Sequence, residues 1–218
     1  MYWNQFRQLF RAAQFPVQHE FELGHFVPTA DVIGELRELS YFDQWRAATE
    51  NKWYHLKLED HSLFIFNEGA LNPSYSFLHA PIIAPTMREF LRSKDLLVTA
   101  ANVREHLEEY SLVLDTAEFR QHVLPIRFDY DPTGYRTGVH PLAHLHFGLE
   151  NSVRVGLARG MTAEAFVLFV MRQMYPECWE RLLSQRDNFK LRSSIRTSLS
   201  AIPTPYWGDL DSLELHFA

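Results

Sequence analysis

Between residues 126 and 158 the chain alternates apolar and polar residues in three successive segments: IRFDY (126–130), LAHLHFG (142–148) and SVRVGLA (152–158). A helix repeats every 3.6 residues and cannot show a core this pattern. A strand, whose side chains point to opposite faces in turn, can. DPTG (131–134) supplies a turn after the first segment. The succession predicts three antiparallel strands in a meander. Ala143, Leu145 and Phe147 then share one face with Ile126, Phe128, Tyr130, Val153, Val155 and Leu157. Arg127, Asp129, His144, His146 and Arg154 share the other.

The same reading extends along the chain. WYHLKLEDHSLFIFN (53–67) predicts two strands around a turn at residues 60–62, and SYSFLHAPI (74–82) a third strand stopped by Pro85. Trp3, Phe6, Phe10 and Ala13 recur at helical spacing, and Pro16 ends that helix. Asp31 is placed to cap a short helix over 32–39, and PTMREFLRS (85–93) suits a helix opening on its proline. Residues 102–117 divide: VREHLEE has helical character, whereas YSLVLDT alternates as a strand does. MTAEAFVLFVMRQMY (161–175) predicts a helix capped by Thr162 and apolar nearly all round. ECWERLLSQ (177–185) follows Pro176 as another helix, and SLELHF (212–217) reads as a last strand. The expected architecture is α+β: a mostly antiparallel sheet with helices packed on one face, in a single globular domain spanning 1–218. Its N-terminal helical part covers about 1–50 and its sheet-rich core about 51–160. The C-terminal helices and last strand cover about 161–218.

Composition bounds the function. Hydrophobic residues make up 46% of the 218 and charged residues 22%, enough for a packed core. A formal net charge of −6 argues against a broad nonspecific grip on nucleic acid, though not against a local basic groove. The lone Cys178 allows no internal disulfide and reads as a buried structural thiol. The first residues lack a signal-peptide pattern. The longest apolar run, AFVLFVM (165–171), is far short of the ~20 residues a membrane span needs. A cytoplasmic protein with no membrane association is expected.

Three of the eleven histidines fall at positions 140, 144 and 146. Lys, Glu and Thr solvate a sheet face more simply than His and Arg, so the makeup of this face points to chemistry. Histidine exchanges protons near neutral pH, a carboxylate fixes an imidazole tautomer, and arginine offers a planar fork to phosphate. On the open face of the sheet, His144, His146, Arg127, Asp129 and Arg154 are the candidate catalytic residues for cleavage of a phosphodiester. In that scheme one histidine removes a proton, the other protonates the leaving oxygen, and arginine stabilises developing charge without a metal. His140 and Tyr135 are candidate binding residues. The alternative for the same residues is a divalent metal such as zinc held by His144, His146 and Asp129. The expected partner is a phosphate-containing ligand or RNA. The competing reading is a noncatalytic ligand-sensing or protein-interaction subunit of a bacterial complex, which needs a protein partner. A sheet face that simply meets water is the third reading.

Two other matches around Asp129 fail. DYDPTG opens like a calcium loop, but the twelfth position is His140 rather than a bidentate Glu. The Asp-x-Asp-x-Thr pattern of dehalogenase-type phosphatases requires a buried apolar strand before it, and Arg127 interrupts this one. No Gly-x-Ser-x-Gly elbow and no glycine-rich phosphate loop occurs.

The combination RFDYDP, HPLAHLHFG and VRVGLA followed by an apolar helix, over residues 125–175, resembles a family of uncharacterised bacterial domains. The resemblance implies a bacterial cytosolic setting and brings no activity with it. Membership of a toxin–antitoxin or defence module is associated with small proteins of this sort.

Overall fold

The computed structural model describes residues 3–22, 24–27, 29–69, 72–149, 153–185, 193, 196–214 and 216–217. The helices are α1 (Trp3–Ala13), α2 (Ala30–Arg37), α3 (Tyr41–Glu50), α4 (Met87–Ser93), α5 (Ala100–Glu105), α6 (Leu107–Asp115), α7 (Ala163–Met174), α8 (Pro176–Gln185) and α9 (Asp209–Leu213). An eight-stranded sheet is built from β1 (Val17–Glu20), β2 (Leu56–Leu58), β3 (Leu63–Asn67), β4 (Ser74–Leu78), β7 (Ile126–Tyr130), β8 (Ala143–Phe147), β9 (Arg154–Leu157) and β12 (His216–Phe217). Its order is β1-β2-β3-β4-β7-β8-β9-β12. Every pair is antiparallel except β9 with β12. Two small ladders pair β5 (Ile82–Ile83) with β6 (Glu118–Phe119), and β10 (Arg159–Gly160) with β11 (Ser200–Ala201). The fold is therefore α+β around a mostly antiparallel sheet, and the predicted meander is β7-β8-β9.

The first face of the sheet carries the main core. Phe64, Phe66, Tyr75, Phe77, Phe128 and Leu145 project into it from β3, β4, β7 and β8. The buried apolar residues of α7 cover them: the Phe166 ring meets Phe64 edge-on, 6.2 Å between centroids at 87°. Each such phenylalanine contributes on the order of 2–3 kcal/mol by leaving water. Thr162 caps α7 through Ala165 N, as its sequence predicts. Helices α1 and α8 pack beside it, with Phe10, Ala13, Cys178 and Leu182 buried. Cys178 is the expected structural thiol, its sulfur 3.8 Å from the Gln14 carbonyl oxygen. The side chains of residues 3–6, and with them the predicted roles of Trp3 and Phe6, lie outside the described set.

The second face is divided. Over β3 and β4, Leu63, Ile65 and Leu78 pack against Trp45 and Ala48 of α3. Over β7, β8 and β9 the residues are polar.

Several local expectations are corrected. The cap of the second helix is Thr29, whose hydroxyl accepts from Val32 N, not Asp31, which lies within the helix. Helix α4 starts one residue after Thr86, where a reciprocal capping box with Glu89 outcompetes a start on Pro85. Residues 110–115 continue a helix: Tyr110, Val113 and Leu114 pack at helical spacing beside α4, and the two-residue alternation is incidental. In the tail, α9 occupies residues 209–213, and among the described residues only His216 and Phe217 are strand; Leu215 lies outside them. Among the described residues no helix is long and apolar enough to cross a membrane.

Candidate functional site

Register places the polar residues of β7, β8 and β9 in two adjacent rows. Ser76, Arg127, His146 and Arg154 face one another across β4, β7, β8 and β9. Ser74, Asp129, His144 and Gly156 form the next row. Partners directly opposite in an antiparallel ladder share a face, so the predicted common surface exists.

The Asp129 carboxylate is the hub. Its Oδ2 accepts a 2.8 Å hydrogen bond from Arg127 Nε, lies 3.3 Å from His146 Nε2 and 4.0 Å from His144 Nε2. The His144 and His146 ring centroids stand 4.7 Å apart at 73°, and His140 approaches His144 from the far side at 4.8 Å. His144 Nδ1 is 2.8 Å from the Pro141 carbonyl oxygen, which can only accept. That contact puts the proton on Nδ1 and leaves the Nε2 lone pair aimed toward Asp129. Among the described residues, Nδ1 of His146 and Nδ1 of His140 are buried without a hydrogen-bond partner.

One expectation is overturned: the face is not open at the histidines. His144 is 1% and His146 4% exposed, whereas Arg127 and Asp129 are half-buried and form the accessible side of the cluster. The cover is the β7–β8 loop, residues 131–142. Asp131 Oδ1 accepts from Thr133 N, Thr133 Oγ1 and Gly134 N, which makes DPTG the predicted turn. Gly156 lets Pro141 lie against β9, since a Cβ there would stand 3.1 Å from Pro141 Cγ. The loop is fastened by Asp211 of α9, which is buried and accepts from Gly138 N, Gly208 N and the Tyr135 hydroxyl.

Burial sets the electrostatics. Desolvation, with His146 alongside, pushes the His144 imidazole down to about 4. At Asp129, burial works to raise the carboxyl, and contacts with His146, Arg127 and His144 outweigh it, holding the group below the usual carboxylate range.

The structure thus brings together Arg127, Asp129, His144 and His146, with His140 at the edge. Arg154 lies opposite His146 but is exposed. It lines a cleft of about 140 Å³ with Pro141, Gly156, Trp207 and His216. Tyr135 is not part of the cluster; its hydroxyl belongs to the Asp211 fastening. Sequence reasoning missed the Pro141 carbonyl, Gly156 and Asp211. A glycine inside a strand was the available signal, since it marks close approach by another segment.

Comparison with curated proteins and with solved structures yields no match. A family model described as "Uncharacterized conserved protein (DUF2290)" matches residues 24–202, which include every residue of the cluster. With most of its length covered, including β7, β8 and β9, the chain belongs to the DUF2290 family.

Proposed function

We propose that the chain is a hydrolase that cleaves a phosphodiester at the β7–β8–β9 face, in the cytoplasm. The observation that supports this most is a single carboxylate, Asp129, held at once against Arg127 and His146. Arg127 sits on the accessible side of the cluster, and Arg154 stands one strand beyond His146. Two guanidiniums so placed suit the oxygens of one phosphate and the charge that grows on them during attack. The Asp129–His144–His146 centre activates water. The water oxygen bonds to phosphorus, its proton passes to the centre, the bond to the leaving oxygen breaks, and that oxygen is reprotonated. The flanking cleft, with the Trp207 ring on its wall, has room for a planar group of the substrate. RNA and nucleotides are the substrates to test first.

The test is cleavage of RNA, DNA and cyclic nucleotides by purified protein, with folding checked by circular dichroism. The His144→Ala/His146→Ala double variant is expected to lose activity by roughly 10²–10⁴-fold. Undiminished cleavage by that variant removes the proposal. The deep burial of both imidazoles favours a second reading, a noncatalytic subunit that binds an anionic ligand or a protein partner through Arg127 and Arg154. Stable ligand retention with no turnover of any phosphate ester selects it.

A further inference from the structure

We infer that Asp129, His144 and His146 bind one divalent first-row metal ion of the zinc type. Each residue offers one donor atom, and the three donors lie within 4.8 Å of one another. Donors sharing one tetrahedral ion at ~2.1 Å stand roughly 3.4 Å apart, so the cluster has to contract by about 1.4 Å at most. Two neighbouring strands hold the residues: β8 supplies both imidazoles and β7 the carboxylate.

The surroundings also fit. A metal-binding imidazole normally donates its other ring N–H to a carbonyl or carboxylate, which fixes the lone pair on the ion. His144 already does so through Nδ1 and Pro141. His146, 4% exposed, turns Nε2 toward Asp129 and leaves its buried Nδ1 without a partner among the described residues, as His61 does at its own Nδ1, so the case rests on the convergence of donors rather than on that nitrogen. Arg127 Nε donates to the same Asp129 Oδ2 at 2.8 Å, so a cation bound there shares that oxygen with the guanidinium and works against its positive charge. It marks where the carboxylate must share its lone pairs. Three protein donors leave a fourth position for water or substrate, the arrangement of a catalytic rather than a structural ion. A lone histidine pair on a solvated strand would have neither the half-buried carboxylate nor the carbonyl behind the ring.

This inference rests on the reading of the cluster as the working centre of the chain, and it is tested without any substrate. Protein freed of metal by chelation and dialysis is titrated with Co²⁺ while the visible absorption is followed. Zn²⁺ is then added in competition. The expected result is one equivalent bound, with the intense d–d bands of four- or five-coordinate cobalt, displaced by Zn²⁺. Asp129→Asn, which keeps the shape of the side chain, and His146→Ala are expected to weaken binding at least ~10-fold, and Arg154→Ala to leave it intact. The rise in melting temperature on adding Zn²⁺ is expected in the wild type and absent in Asp129→Asn. Absence of stoichiometric binding overturns the inference, and so does wild-type affinity in both cluster variants. Metal binding without phosphodiester cleavage removes the proposed reaction alone. Cleavage that persists in chelator, by protein that binds no cobalt, removes the metal alone.

Discussion

The molecule buries histidines in several places, and comparing His61 with His144 separates structural from chemical burial. His61, in the β2–β3 turn at φ +70°, is 1% exposed and lies far along the sheet from β8. Its Nε2 sits 3.3 Å from the Pro85 carbonyl oxygen and 3.3 Å from the Tyr110 hydroxyl, which itself donates to Pro85 at 2.8 Å. The ring thereby pins the α4–α6 helices to a hairpin turn. His144 is as deeply buried, and burial drives both groups down to about 4. What differs is the company. His61 touches a carbonyl and a phenol, whereas His144 has a carboxylate and two further imidazoles within reach. Burial and a displaced titration alone therefore say little about function; convergence of complementary ionisable groups says more.

Acid tests the shared property of the two sites and gives the largest effect. Both rings are held neutral in the fold, whereas in the unfolded chain they protonate near 6.5. Below that value the unfolded state takes up protons that the native state refuses. The stabilisation is complete above pH 6.5 and is lost as pH falls toward 4, by roughly 3 kcal/mol for each ring at most. Urea denaturation at pH 7 and pH 4.5 measures it. His61→Asn, which tolerates the left-handed backbone, is expected to flatten the pH dependence by the His61 share while leaving Co²⁺ binding unchanged. An unaltered pH dependence in that variant breaks the comparison.

A smaller effect distinguishes the sites by packing. Tyr110→Phe removes the hydroxyl donated to Pro85 and is expected to cost about 1–2 kcal/mol in denaturant unfolding, with phosphodiester cleavage unaffected. Loss of cleavage there would mean that the His61 site communicates with the cluster. The smallest effect is at Arg154. Its side chain is exposed and makes no ion pair among the described residues, so Arg154→Ala is expected to shift stability by less than ~0.5 kcal/mol. The same variant is expected to weaken phosphate binding, read by isothermal titration with a nonhydrolysable nucleotide.

The strand period alone placed Arg127, Asp129, His144 and His146 on one surface, because the alternation in IRFDY and LAHLHFG admits a single phase. Depth was not legible. Whether an imidazole on that surface meets water depends on residues 131–142, and these are held by Asp211, 76 positions beyond Tyr135. No local pattern encodes such a contact. The helix over 107–115 was hidden for a related reason: YSLVLDT carries both periods, and packing against Phe90 and Leu91 of α4 selects the helical one. Thr29 and Asp31 likewise compete as caps, and only the backbone geometry of the helix start decides between them.

Besides the neighbouring Gly208 amide, Asp211 gathers a hydroxyl and an amide, Tyr135 and Gly138, from the distant loop that roofs His144. Residue 211 thus acts as a latch on a door it does not itself form, and a substitution there reaches His144 without touching it.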